Sequence, residues 1–192
     1  MLSHHEIKRV VLTNFPGCFQ FWGIRSLDNQ DIHSPEKILS DALSRTFKAL
    51  SDAGKEVVYV LDAPTFSKDG LDDSKVNACA AKLSSVHAPA LTLRSALYLR
   101  RDKTTLNEVC TMPESDNGTV LSHAMLKKLV EKEADKLDNI QVVDLTQLFC
   151  QDKTCSMIKN GKMLYKDSQH INRTGAAVVA PLVFKAFDLF DQ

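Results

Sequence analysis

Two short apolar runs with one amphipathic helix between them constrain the fold of this chain more than any other feature. Val10-Val11-Leu12 is wholly apolar, and Glu56–Leu61 is apolar after its first residue. Such runs predict two strands that are buried on both faces of a sheet. Ser34 is positioned to cap a helix that begins at Pro35 and stops at Gly54. A helix between two such strands is a βαβ unit, and it favours a parallel sheet.

The rest of the pattern continues the alternation of helices and strands. Helices are predicted over 72–85, from Ser122 to Ala134 and from Arg173 to Phe187, with a weaker one over 91–99, a strand over 140–145 and a hairpin at Asn160-Gly161. The inner faces of the first and last of these helices are expected to carry Val76, Ala80 and Leu83, and Val178, Leu182 and Phe184. The predicted fold is therefore α/β, with a parallel sheet between two helical layers. In such sheets a site lies beyond the carboxyl ends of the strands, here after Leu12, Leu61 and Leu145.

Composition excludes several classes of function. The 192 residues predict a single domain, and Lys plus Arg equal Asp plus Glu at 24 each, so no bulk positive charge favours nucleic acid. The longest apolar stretch runs from Gly175 to Phe184 and is far shorter than the ~20 residues of a membrane span. The first residues are polar and charged, so as written the chain is expected to have no export signal.

The sequence does not decide whether its five cysteines are reduced or paired in disulfides. Cys150 and Cys155 are close enough in sequence to close a small loop, Cys79 and Cys110 flank a long irregular segment, and Cys18 is left over. Paired cysteines would indicate an oxidising compartment, whereas reduced ones would be small buried apolar residues. The spacing fits no common zinc pattern, and no metal or cofactor is predicted.

An acidic residue three positions before a histidine is the one catalytic motif. In Asp167-Ser168-Gln169-His170 the carboxylate can fix the tautomer of the imidazole, which can then take a proton from a serine hydroxyl. The pair precedes the last predicted helix, so a loop can present both side chains at the carboxyl edge of the sheet. Asp167 and His170 are the predicted acid–base residues.

The ordered set of segments resembles the C-terminal SGNH domain of acyltransferase-three membrane O-acyltransferases, which acetylate O-antigen and related surface glycans. The resemblance rests on four segments: residues 10–23, residues 53–58, Val143-Asp144-Leu145 with Cys150 and Cys155, and residues 164–170 with Gly175 behind them. It implies an SGNH-like, flavodoxin-like fold, catalytic roles for Asp167 and His170, and a periplasmic disulfide between Cys150 and Cys155. It also implies a glycan acyl acceptor, a membrane acyltransferase partner domain and a location at the periplasmic face of the inner membrane.

The chain departs from that family at the nucleophile. The family carries a Gly-Asp-Ser block after its first strand, and the 192 residues contain no such tripeptide. We therefore expect a domain that lacks the first strands of the fold, with the serine upstream of Met1 and no activity by itself. Asn14 stands where the family presents an oxyanion donor, and the strand at Val10 is expected to be a free edge that promotes self-association.

A non-catalytic α/β module that binds a glycan or a small anion is the alternative. Phe15, Phe19, Phe21 and Trp22 follow the first strand and could stack on sugar rings. Glycan binding without ester cleavage would favour this module over the acyltransferase interpretation.

Overall fold

The computed structural model describes residues 4–14, 34–67, 72–87, 105–116 and 118–188. In these ranges the α-helices are α1 (Pro35–Asp52), α2 (Ser74–His87), α3 (Leu106–Cys110), α4 (Gly118–Ala134), α5 (Thr146–Phe149) and α6 (Arg173–Asp188). The strands are β1 (Arg9–Asn14), β2 (Glu56–Leu61), β3 (Thr111–Pro113), β4 (Ile140–Asp144), β5 (Cys150–Gln151), β6 (Thr154–Ser156), β7 (Ile158–Lys159) and β8 (Lys162–Met163).

The central sheet is parallel and has the order β1-β2-β4. Val10 lies opposite Val57, and Val57 lies opposite Ile140 on the other side of β2. Each of the two crossovers between these strands contains a helix, as the sequence predicts for βαβ connections. The parallel sheet and the α/β class are therefore confirmed.

Helices cover both faces of the sheet. Alternate residues of β2 enter two separate apolar clusters, because successive side chains of a strand point to opposite faces. Val57, Tyr59 and Leu61 pack with α1 and α4, through residues that include Phe47 and Leu126. The opposite cluster joins the sheet to α2 and α6. Its members from the sheet and these helices include Val58, Val60, Val143, Val76, Cys79, Val179 and Phe187. This is the three-layer arrangement expected from the sequence.

The first helix begins and ends where its sequence signals predict. The hydroxyl of Ser34 accepts a hydrogen bond from the Lys37 N–H, and Pro35 occupies the first helical turn. Past the last turn, Gly54 has a φ of 65°, a left-handed conformation that glycine adopts without a steric penalty. This turn leads directly into β2, which fixes α1 against the sheet.

Two small antiparallel elements lie beside the central sheet. The predicted hairpin is confirmed, since β7 and β8 pair around Asn160 and Gly161, both with positive φ. The sheet of order β3-β6-β5 is not predicted by the sequence, because its strands are only two or three residues long. It brings Cys150 opposite Cys155.

Two disulfides cross-link this side of the molecule. Cys150 bonds Cys155, and Cys79 bonds Cys110, so all four cysteines proposed as disulfide candidates are paired. Cys18 lies outside the described residues. The Cys79–Cys110 bridge spans 31 residues and joins α2 to the end of α3. Loop-closure entropy gives it a stabilisation of about 3–4 kcal/mol, against about 2 kcal/mol for the short Cys150–Cys155 loop.

The described structure corrects the predicted exposure of three side chains. Val11 is 50% exposed, although the apolar run predicted burial on both faces, since β1 is the edge strand of the described sheet. On α2, Cys79 faces the core and Ala80 is exposed, since the disulfide to Cys110 sets the rotation of the helix. On α6, Phe184 is 68% exposed and Phe187 is buried in its place.

The bounds of two predicted helices also change. The helix predicted from Ser122 begins at Gly118, one turn earlier. The weaker helix predicted over 91–99 lies outside the described residues, as do the aromatic residues Phe15, Phe19, Phe21 and Trp22.

Candidate functional site

The carboxyl ends of the three parallel strands lie side by side. Asn14, the last residue of β1, pairs with Leu61, which in turn pairs with Asp144 at the end of β4. This carboxyl edge is where open α/β folds place their ligands. The backbone of Asn14 is thus at the predicted position, while its side chain lies outside the described part of the chain.

Asp167 and His170 form a direct pair in the loop before α6. The Nδ1 atom of His170 lies 2.9 Å from Oδ1 and 3.0 Å from Oδ2 of Asp167. An ionised carboxylate can only accept hydrogen bonds, so this contact assigns the proton to Nδ1 and leaves a lone pair on Nε2. The imidazole is 72% exposed, and Nε2 has no hydrogen-bond partner among the described residues.

The backbone of the same loop keeps Asp167 ionised. Partial burial raises the pKa of Asp167, but hydrogen bonds from the N–H groups of Gln169 and His170, and from the imidazole, outweigh it and lower the pKa below its usual range. Both N–H groups donate to Oδ1, at 3.0 and 2.8 Å. The carboxylate is therefore charged at neutral pH and is oriented towards the imidazole.

Contacts at both ends fix this loop to the body of the domain. The buried hydroxyl of Tyr165 donates to the carbonyl oxygen of Pro64 at 2.8 Å. At the other end, Oδ1 of Asn172 accepts the N–H groups of Thr174 and Gly175, which caps α6 as predicted. The loop is therefore held between the segment that follows β2 and the start of the last helix.

A family model for SGNH domains fused to acyltransferase-three domains matches residues 2–185 of the chain. The chain belongs to this SGNH domain family. No curated protein and no solved structure matches it significantly. The family assignment agrees with the parallel α/β architecture and places this SGNH domain in an acyltransferase context.

A second histidine–carboxylate pair in the SGNH domain lies at the end of β4. The Nε2 atom of His123, on α4, lies 3.1 Å from Oδ1 of Asp144 and 3.1 Å from the hydroxyl of Thr146. The carboxylate and the hydroxyl share one ring nitrogen, so this is not a relay in which the imidazole stands between them. His123 is buried, and its Nδ1 atom has no hydrogen-bond partner in the described part of the domain.

The charge of Asp144 is stabilised by its neighbours. Burial raises the pKa of Asp144, but hydrogen bonds from His123, Lys127 and the Thr146 N–H reverse this and hold the pKa well below its usual range. The Lys127 ammonium donates to Oδ2 at 2.9 Å. We interpret this group as an anchor that ties α4 to the end of β4.

Asp62 is a third carboxylate at this edge of the SGNH domain, one residue past β2. Burial raises the pKa of Asp62, and the Ala63 N–H and the charges of His123 and His170 offset this only in part. Sequence reasoning marked the position after Leu61 as part of the edge but gave Asp62 no role. His123 was missed altogether, because a single histidine within an amphipathic helix carries no motif.

Serines in the described part of the SGNH domain do not complete the Asp167–His170 pair. Among the serines whose side chains the structure describes, none forms a hydrogen bond with the His170 imidazole. Ser74, the one serine that follows an aspartate pair, donates its hydroxyl to Asp72 at the start of α2. The Ser74 hydroxyl therefore takes part in the hydrogen bonding at the start of α2.

The cysteines next to the loop do not offer a metal site. Sγ atoms of Cys150 and Cys155 lie near Glu114, but they are joined in a disulfide and present no thiolate. The same bond rules out a zinc site built from these cysteines and His170. None of the described helices is long and apolar enough to span a bilayer.

Proposed function

We propose that this SGNH domain supplies the acid–base pair of a site that transfers or removes acyl groups on surface glycans. The observation that carries the proposal is the contact between Asp167 and Nδ1 of His170, on an imidazole that is 72% exposed. Family membership supports the same chemistry, because the related domains are fused to acyltransferase-three domains. O-acetyl groups of glycans are the proposed substrate class.

In this mechanism Nε2 of His170 takes the proton of an attacking serine hydroxyl. The resulting imidazolium carries a positive charge next to the ionised Asp167, which stabilises it without taking the proton. His170 then returns the proton to the leaving group. We assign Asn14 as the amide donor that stabilises the oxyanion, since it ends the strand beside β2 at the carboxyl edge.

The attacking serine is proposed to come from outside these 192 residues. Two observations support this: the sequence contains no Gly-Asp-Ser, and no described serine hydroxyl bonds His170. A base without its nucleophile loses most of the rate of a triad. The isolated chain is therefore proposed to be inactive.

The environment proposed for the domain is the periplasmic face of a membrane, next to an acyltransferase domain that delivers the acyl group. The two disulfides support an oxidising compartment. The edge of β1 that has no strand partner among the described residues, with Val11 half exposed, is proposed to pair with another strand. In a preparation of the isolated chain, that strand is β1 of a second copy.

Ester turnover tests the proposal that the chain lacks its nucleophile. The purified chain and its His170→Ala variant are each incubated with a chromogenic acetyl ester, and release of the chromophore is followed. The two rates are expected to be equal, because His170 has no serine to activate. Turnover by the wild type that disappears in the His170→Ala variant would show that a nucleophile is present and would contradict the proposal.

A further inference from the structure

The turn between Asp167 and His170 is held from outside by an acidic side chain at the start of α2. The N–H group of Ser168 donates to Oδ1 of Asp73 at 2.7 Å, across 95 residues of sequence. The carbonyl oxygen of the same residue accepts the N–H of Phe66 at 2.8 Å. Ser168 is 2% exposed, although His170 beside it is largely in solvent.

These two contacts restrain the peptide groups on both sides of Ser168. One of these is the peptide that joins Asp167 to Ser168, so its orientation sets the direction in which the Asp167 carboxylate leaves the backbone. The hydrogen bonds from the Gln169 and His170 N–H groups to Asp167 lie within the turn and would move with it. They cannot hold the turn in place relative to the rest of the domain. A hydrogen bond to a carboxylate is short and about twice as strong as a neutral one, which makes Asp73 the stronger restraint.

We infer that Asp73 is a positioning residue for the Asp167–His170 pair. Its carboxylate holds the Ser168 N–H so that Asp167 stays aligned with Nδ1 of His170. It touches neither the imidazole nor the reacting atoms. That this positioning matters for catalysis rests on the proposed function. The alignment of Asp167 with His170 by Asp73 does not rest on it.

Two variants separate the hydrogen bond of Asp73 from its charge. Asp73→Ala removes both, while Asp73→Asn removes the charge and keeps an oxygen that can accept the Ser168 N–H. The readout is the pKa of Asp167, measured from the pH dependence of its side-chain carboxyl ¹³C shift by NMR. Loss of alignment weakens the hydrogen bond that the imidazole donates to the ionised carboxylate, so the pKa of Asp167 is expected to be higher in Asp73→Ala than in Asp73→Asn.

The ¹⁵N shifts of the His170 ring provide the second readout. We expect Asp73→Asn to keep the proton on Nδ1 as in the wild type, and Asp73→Ala to lose part of that population. Equal Asp167 pKa values and equal ring shifts in the two variants would overturn the inference. Both measurements are made without a substrate, so a negative result would overturn the role of Asp73 and leave the proposed function standing. A result of the ester assay that contradicts the proposed function would leave the role of Asp73 in aligning the pair intact.

Discussion

The Gly175→Ala variant is expected to unfold with a free energy about 2–3 kcal/mol lower than that of the wild type. A Cβ atom at this position would lie 2.3 Å from the carbonyl oxygen of Leu164 and 2.9 Å from Cβ of Ile171. The nearer of these is a backbone atom, and that carbonyl also accepts the N–H of Asn172 at 2.8 Å. The first turn of α6 would therefore have to move away from the loop that carries Asp167 and His170.

Chemical denaturation monitored by circular dichroism measures this loss. The matched control is Ala176→Ser, which adds one heavy atom at the next, exposed position of the same helix and should cost only about 0.5 kcal/mol. For a chain of this length the Gly175 variant should also melt roughly 5–10 °C lower. A loss no larger than that of the control would mean that the close approach of helix and loop is not required.

We expect the chain to self-associate through β1 and the Val11→Lys variant to be a monomer. In the described sheet β1 pairs only with β2, so the opposite row of backbone N–H and C=O groups has no strand partner there. Val11 is 50% exposed on this edge. A lysine on an edge strand opposes pairing with a second strand, because the charge would have to be desolvated.

Light scattering coupled to size exclusion measures the molar mass of each variant at high concentration. The control is Phe184→Lys, which removes a more exposed apolar side chain, 68% accessible, from α6 without changing β1. We expect the wild type and the control to exceed the monomer mass and Val11→Lys to match it. A monomeric wild type, or equal effects of the two lysines, would refute pairing through the strand edge.

Local sequence signals predicted the central architecture of the domain well. The apolar runs of β1 and β2, the Ser34-Pro35 start of α1 and its Gly54 end lie where expected, because capping and burial are encoded within a few residues. Exposure was harder to predict. Whether Val11, Ala80 or Phe184 faces the core depends on the neighbours of each element, and these are set by tertiary packing.

The candidate site shows the same division between local and distant contacts. The Asp167–His170 pair could be predicted because the two residues lie only three positions apart in one loop. The contacts of Asp73 with Ser168 and of His123 with Asp144 join residues 95 and 21 positions apart, and only the fold brings them together. Such partners leave no pattern in a single sequence.

The position of the imidazole proton shows whether Asp167 holds His170 with Nε2 free, as the proposed acid–base role requires. We expect the ¹⁵N shifts of the neutral ring to assign the proton to Nδ1 in the wild type. In Asp167→Asn, the amide oxygen can still accept the two backbone N–H groups while its NH₂ donates to Nδ1, which moves the proton to Nε2. A wild-type ring protonated on Nε2, or one unchanged in Asp167→Asn, would contradict the claim that this pair is the acid–base part of an acyl-transfer site.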